Sequence, residues 1–183
     1  MRCFLGVKLS KEIVSEVAKA REKFEKIDAD IKTVENENLH LTVKFLGKTD
    51  EKDLHKIDIL NDTLEEFDPF MIKLKDVGVF PSADYIKTIW VGIDKGNEMF
   101  VELIKNIEDS LAKIGFESSK NSPVPHATIA RVKSGKNKDM IKNTLEELHN
   151  RSFGKMKVDR ITLFKSKLRP IGPTYEKIKE YRL

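Results

Sequence analysis

Glutamine is absent from the 183 residues, and cysteine and tryptophan occur once each. The lone Cys3, set in the apolar run RCFLGVKL, rules out a disulfide framework and fits a reducing cytoplasm, which is the compartment expected. No apolar run approaches the length that spans a bilayer, and Lys8, Lys11 and Glu12 arrive too early for a secretory leader, so no membrane role is expected. Metal-ligand spacing is missing as well. There is no His-x-x-x-His helix, no cysteine cluster and no carboxylate at ligand spacing beside His40 or His126, so neither metal nor other cofactor is expected.

No single sign of charge dominates. Lys and Arg number 34 against 30 acidic residues, and the two signs are mixed along the chain. A net charge of +4 is compatible with a polyanionic partner and does not require one. Abundant Lys and Glu with no glutamine lean towards a thermophile.

What the chain does have, it has twice. Arg2–Leu9 reads as a strand. Ser10 caps a helix to about Ile27 whose apolar stripe is Ile13, Val14, Val17, Phe24 and Ile27, and a strand follows over His40–Gly47. A second helix is expected over about Asp50–Phe67, burying Leu54, Ile57, Leu60 and Leu64, and then the extended run FMIKLKDVGVF. After the loop PSADY the pattern begins again: the strand IKTIWVGID, a helix over Asn97–Ile114, a strand at His126, a fourth helix and two C-terminal strands. A shift of 86 residues lays His40 on His126, Phe4-Leu5-Gly6-Val7 on Trp90-Val91-Gly92-Ile93 and Phe67 on Phe153 without a gap. The expectation is one bilobal α+β domain over residues 1–183, with repeats of about 1–86 and 87–183. Each lobe would carry an antiparallel sheet and two helices, with a cleft between them.

The repeated strands carry His-x-Thr, in NLHLTVKFLG and PVPHATIARV. Side chains alternate along a strand, so His40 and Thr42 share a face, as do His126 and Thr128. Packed about a pseudo-twofold axis, the motifs would bring two imidazoles and two hydroxyls to one cleft. Histidine titrates near neutrality, so such a pair supplies a base for an attacking oxygen and an acid for a leaving oxygen, while the threonines steady phosphoryl oxygens. One His-x-Thr is ordinary half-buried strand chemistry; two, in register with an internal repeat, point to phosphodiester hydrolysis.

These paired motifs resemble the signatures that name the 2H phosphoesterases, and among them the RNA 2',3'-cyclic phosphodiesterases, also called the archaeal and bacterial 2'-5' RNA ligase family. The likeness runs from FLGVKL through GVFPS and IWVGI to the C-terminal strands. It implies opening of a terminal 2',3'-cyclic phosphate of RNA to a 2'-phosphate. His40 would be the proton donor and His126 the proton acceptor, with 2'-5' ligation when an RNA 5'-hydroxyl replaces water. The substrate is then an RNA end, tRNA fragments included, or a nucleotide, and a monomer suffices.

Four further residues are substrate-binding candidates. Arg131 lies five after His126, as an arginine does in that family, and the 86-residue shift puts Phe45 at its counterpart. Lys87 stands where the family usually has an arginine, a point charge without bidentate geometry. Tyr85 is a candidate to stack on a base, whereas Phe80 reads as core. His55 and His149 read as surface residues. Two other functions fit the same residues: hydrolysis of a small cyclic phosphate such as ADP-ribose 1'',2''-cyclic phosphate, and a non-catalytic RNA or nucleotide-binding module.

Overall fold

The computed structural model describes residues 1–170 and 172–183. Nine strands and four helices follow one another as β1 (Arg2–Lys8), α1 (Lys11–Glu25), β2 (Ile31–Thr33), β3 (His40–Lys48), α2 (Leu60–Leu64), β4 (Phe70–Pro81), β5 (Ile86–Ile93), α3 (Asn97–Lys113), β6 (His126–Val132), α4 (Lys138–Glu147), β7 (Ser152–Val158), β8 (Arg160–Arg169) and β9 (Gly172–Arg182). Ser10 caps α1 as its sequence foretold, its hydroxyl accepting from the Ile13 amide at 3.3 Å.

The sheet runs β7-β4-β5-β6-β3-β1-β8-β9, with β2 added to β6, and every pairing is antiparallel. Its two wings, β3-β1-β8-β9 and β6-β5-β4-β7, join where Leu41 pairs with Ala127. Those two residues are 86 apart, so each is the other's counterpart and the pseudo-twofold axis passes between them. Helices α1 and α4 cover the wing of β6 and β7, while α2 and α3 cover the wing of β3 and β9. Ion pairs Arg151–Glu16 and Lys23–Glu147 tie α1 to its wing, and Tyr181 with Lys179 tie β9 to Asp58.

Each wing therefore has four principal strands and two helices, but the wings are not the two halves of the sequence. β1 lies in one wing and the helix that follows it covers the other, and β4 leaves the first half to pair with β5. The crossing back occurs at a single residue. Asp159 separates β7, which pairs with β4, from β8, which pairs with β1.

Three expectations need correction, and one strand was not foreseen. The segment expected as a long second helix is a 3-10 run over Glu51–Ile59 followed by one turn and a half of α2. Its apolar spacing explains why: Leu54, Ile57 and Leu60 recur every three residues, the 3-10 period, and only Leu60 to Leu64 spans four. The C-terminus holds three strands rather than two. The three-residue β2 is too short to leave a periodic pattern. The gap-free shift also fails at the first strand, since Val7 faces Leu41 and Val91 faces Ala127, an offset of 84 rather than 86. Gly6 thus corresponds to Trp90, not to Gly92.

Candidate active site

Both His-x-Thr segments begin strands at the junction of the wings. Leu41 and Ala127 are fully buried beneath the helices, so their neighbours His40, Thr42, His126 and Thr128 face the other side, into the concave cleft. The two imidazoles are anchored identically. Nδ1 of His40 lies 2.6 Å from the Asn38 carbonyl and Nδ1 of His126 lies 2.6 Å from the Val124 carbonyl. A carbonyl only accepts, so each Nδ1 carries the proton and donates it, leaving Nε2 free to exchange one.

The surroundings then diverge. His40 Nε2 is 3.1 Å from Thr42 Oγ1, and its ring sits among Phe4, Phe164 and Tyr175, with centroids at 4.8, 6.3 and 5.2 Å. Burial in this aromatic box pushes the His40 imidazole below the ordinary histidine range despite the Asn38 carbonyl, which favours the charged form, and charge on His126 lowers it further. Asn38 is itself held, donating to the Pro173 carbonyl at 2.9 Å. His126 has Phe80 edge-on at 4.9 Å and Trp90 at 5.8 Å. The Trp90 ring lies directly over Gly78, where a Cβ would collide with it. Phe80, expected in the core, is only partly buried and packs beside His126 instead.

Strict alternation would send Arg131 to the opposite face from His126, because five is odd. A β-bulge reverses this. Ile129 is the extra residue between the Trp90–Thr128 and Ile89–Ala130 pairs, and Val43 is its counterpart between Gly6–Thr42 and Leu5–Lys44. Two successive residues point inward, and the fifth after each histidine returns to the cleft. Phe45 is there, 74% exposed and 6.1 Å from Phe4, as is Arg131, whose charge lowers the Tyr175 hydroxyl against the larger effect of burial, which raises it. The same bulge turns Lys44 inward, where it binds Glu108 at 2.9 Å and the Glu117 carbonyl at 2.6 Å.

Lys87 and Tyr85 are not brought to the histidines. Lys87 Nζ lies 5.0 Å above the Tyr85 ring, and both line a separate cavity of about 200 Å³ with Lys133, Lys138 and Ile141. His55 is exposed, and His149 is two-thirds exposed beside Asp76. Among the described residues no group of three or more His, Cys, Asp or Glu side chains is placed to hold a metal, and no helix is long and apolar enough to cross a membrane. The aromatic box was missed at the sequence level because Phe4, Phe164 and Tyr175 come from three distant segments that only the interleaved wings unite.

The family model for LigT-like phosphoesterases matches the chain twice, over residues 7–90 and 91–175. The chain belongs to that family. An RNA 2',3'-cyclic phosphodiesterase of Methanocaldococcus jannaschii is 42% identical over 99% of this chain and 100% of that protein, and one of Methanothermobacter thermautotrophicus is 36% identical over 100% and 99%. The crystal structure of TT0787 from Thermus thermophilus superposes with a TM-score of 0.85 at 24% identity, covering 100% of this chain and 98% of that one. E. coli LigT, crystallised with 3'-AMP, gives 0.77 at 22%, covering 100% and 97%. At such identities the structural likeness establishes the fold. Membership in the family makes the chain a 2H phosphoesterase and an enzyme.

Proposed function

We propose that this protein opens terminal 2',3'-cyclic phosphates of RNA to 2'-phosphates, without a metal, through His40 and His126. The reading draws on the names of its full-length relatives and on one observation above all: two imidazoles anchored through Nδ1 to the carbonyl two residues before them, on either side of one pseudo-twofold junction. In the proposed step a water oxygen bonds to phosphorus as the bond from phosphorus to O3' breaks. His126 Nε2 takes the water proton and His40 Nε2 gives its proton to O3', so each turnover leaves the two protonation states reversed, and exchange with solvent resets them before the next substrate. Thr42, Thr128 and Arg131 stabilise the phosphoryl oxygens as charge shifts onto them. An RNA 5'-hydroxyl in place of water yields a 2'-5' linkage by the same proton transfers. Because each wing takes elements from both halves, we treat residues 1–183 as one domain, and one chain supplies the whole site.

The test incubates the protein in EDTA with a short RNA ending in a 2',3'-cyclic phosphate, beside His40→Ala and His126→Ala, and identifies the product phosphate. The expected result is a 2'-phosphate from wild type and a loss of roughly 10²- to 10⁴-fold in each variant. Turnover only without EDTA would sink the metal-free step. Turnover of ADP-ribose 1'',2''-cyclic phosphate alone would replace the substrate, and binding without turnover of either would reduce the protein to a binding module.

A further inference from the structure

The strand β2 places a cation in the cleft that the motifs do not announce. Its register sets Lys32 opposite Arg131, and Arg131 in turn faces Thr88 on β5, so three neighbouring strands present Lys32, Arg131 and Thr88 as one row. Directly paired residues share a face of the sheet. The other face is accounted for, because the next residue, Thr33, donates to Glu25 of α1 at 2.8 Å. Lys32 therefore projects on the cleft side. Its ammonium reaches towards the opposite wing, within 3.3 Å of where a Cβ on Gly172 would stand.

Three other lysines on this side are already engaged. Lys136 pairs with Asp28, Lys142 with Asp84, and Lys138 donates to the Asp84 carbonyl. Lys32 is exposed and makes no ion pair among the described residues. Positive charge continues past it: Lys133, just beyond the end of β6, lines the outer cavity with Lys87, whose ammonium lies over the Tyr85 ring.

Resting on the proposed RNA reading, we infer that Lys32 holds the backbone phosphate next upstream of the reacting one, and so makes the site prefer an RNA strand over a cyclic mononucleotide. Five strand residues place the Arg131 backbone on the order of 16 Å from that of His126. The Arg131 guanidinium, whose charge is felt at Tyr175, is assigned to the reacting phosphate, while Lys32, level with Arg131 and one strand to its side with its ammonium beside Gly172, is left for the charge that only a longer substrate carries. A flexible ammonium fits this task, because a backbone phosphate demands charge rather than a planar fork.

The experiment compares 2',3'-cyclic AMP with an oligoadenylate ending in a 2',3'-cyclic phosphate, using wild type, Lys32→Ala and Lys32→Arg. Lys32→Ala is expected to lower kcat/KM on the oligonucleotide roughly tenfold and to change it less than about twofold on the mononucleotide. It should also flatten the salt dependence of oligonucleotide binding by about 0.7 in logarithmic slope, one phosphate contact on a single strand. Lys32→Arg should retain most of the wild-type preference. Equal losses on both substrates, or no loss on either, would overturn the assignment. If wild type hydrolyses neither, the proposed function fails separately, and anisotropy of the same oligonucleotide bearing a 2'-phosphate still reads Lys32 through the salt slope.

Discussion

The two wings have the same four principal strands, the same bulge and the same anchored histidine, yet beyond the shared His-x-Thr the six positions that begin at each histidine hold different chemistry. His40 lies in an aromatic box and hydrogen bonds to Thr42, and its strand continues with Lys44 and Phe45. His126 lies between Phe80 and Trp90, and its strand continues with Ala130 and Arg131. Duplication supplies a symmetric frame, but acid and base are unlike tasks. The frame is kept where it aims the imidazoles and abandoned where side chains set charge and line the cleft.

The largest asymmetry in stability is Lys44 against Ala130. Lys44 and Glu108 are 4% and 12% exposed, and Glu108 also accepts from the amide and hydroxyl of Ser119, each at 2.8 Å. Through the Glu117 carbonyl and Ser119 this network fastens the start of the loop that leads to His126. Removing one partner strands a buried charge, so Lys44→Ala is expected to cost roughly 3–5 kcal/mol in denaturant unfolding, with kcat falling as the loop loosens. The double variant Lys44→Ala with Glu108→Ala should recover part of that cost. A loss below about 1 kcal/mol for Lys44→Ala would mean that water already reaches the pair.

Phe45 against Arg131 should matter for catalysis rather than stability. Arg131→Ala is expected to remove about 1.5–3 kcal/mol of transition-state stabilisation, read as kcat/KM on mononucleotide and oligonucleotide alike, because its proposed partner is the reacting phosphate. Phe45→Ala should cost about 1 kcal/mol and appear mainly in KM for RNA, as the loss of one stacking face. Should the two variants behave alike on the mononucleotide, the functional difference assigned to the two wings would be wrong at this position.

Much of this was legible in the chain because the periods are strong. The strand at His40, the helix stripe of α3 and the His-x-Thr duplication all follow from local spacing, and the structure places them as read. The 3-10 run is legible too, in the three-residue spacing of Leu54, Ile57 and Leu60, but over so short a segment that spacing also satisfies the helical period. The bulges were not. They leave no residue signature, and without them Arg131 stands five after His126 for no geometric reason. Nor was the exchange of elements between wings, since pairing β4 with β5 and β8 with β1 is decided by tertiary contact, and the aromatic box and Lys32 depend on it.

The smallest expected effect probes the burial that separates the two histidines. On the proposed mechanism kcat/KM of the free enzyme needs one imidazole protonated and the other neutral, and exchanging which is which leaves the bell shape unchanged. One limb belongs to His40, whose burial holds it below the ordinary histidine value of about 6.5. As the proposed acid, His40 must be protonated, and a lowered pKa means that this form is lost as pH rises through the lowered value. Tyr175 stands edge-on to the ring at 5.2 Å as one wall of the aromatic box. Tyr175→Ala should admit water, relieve the cost of charging His40 and move that limb upward towards 6.5, while Tyr175→Phe, which keeps the aromatic wall, should leave it in place. A limb that moves equally in both variants would trace the shift to the Tyr175 hydroxyl and its neighbour Arg131, and the aromatic box would lose its role in tuning the pair.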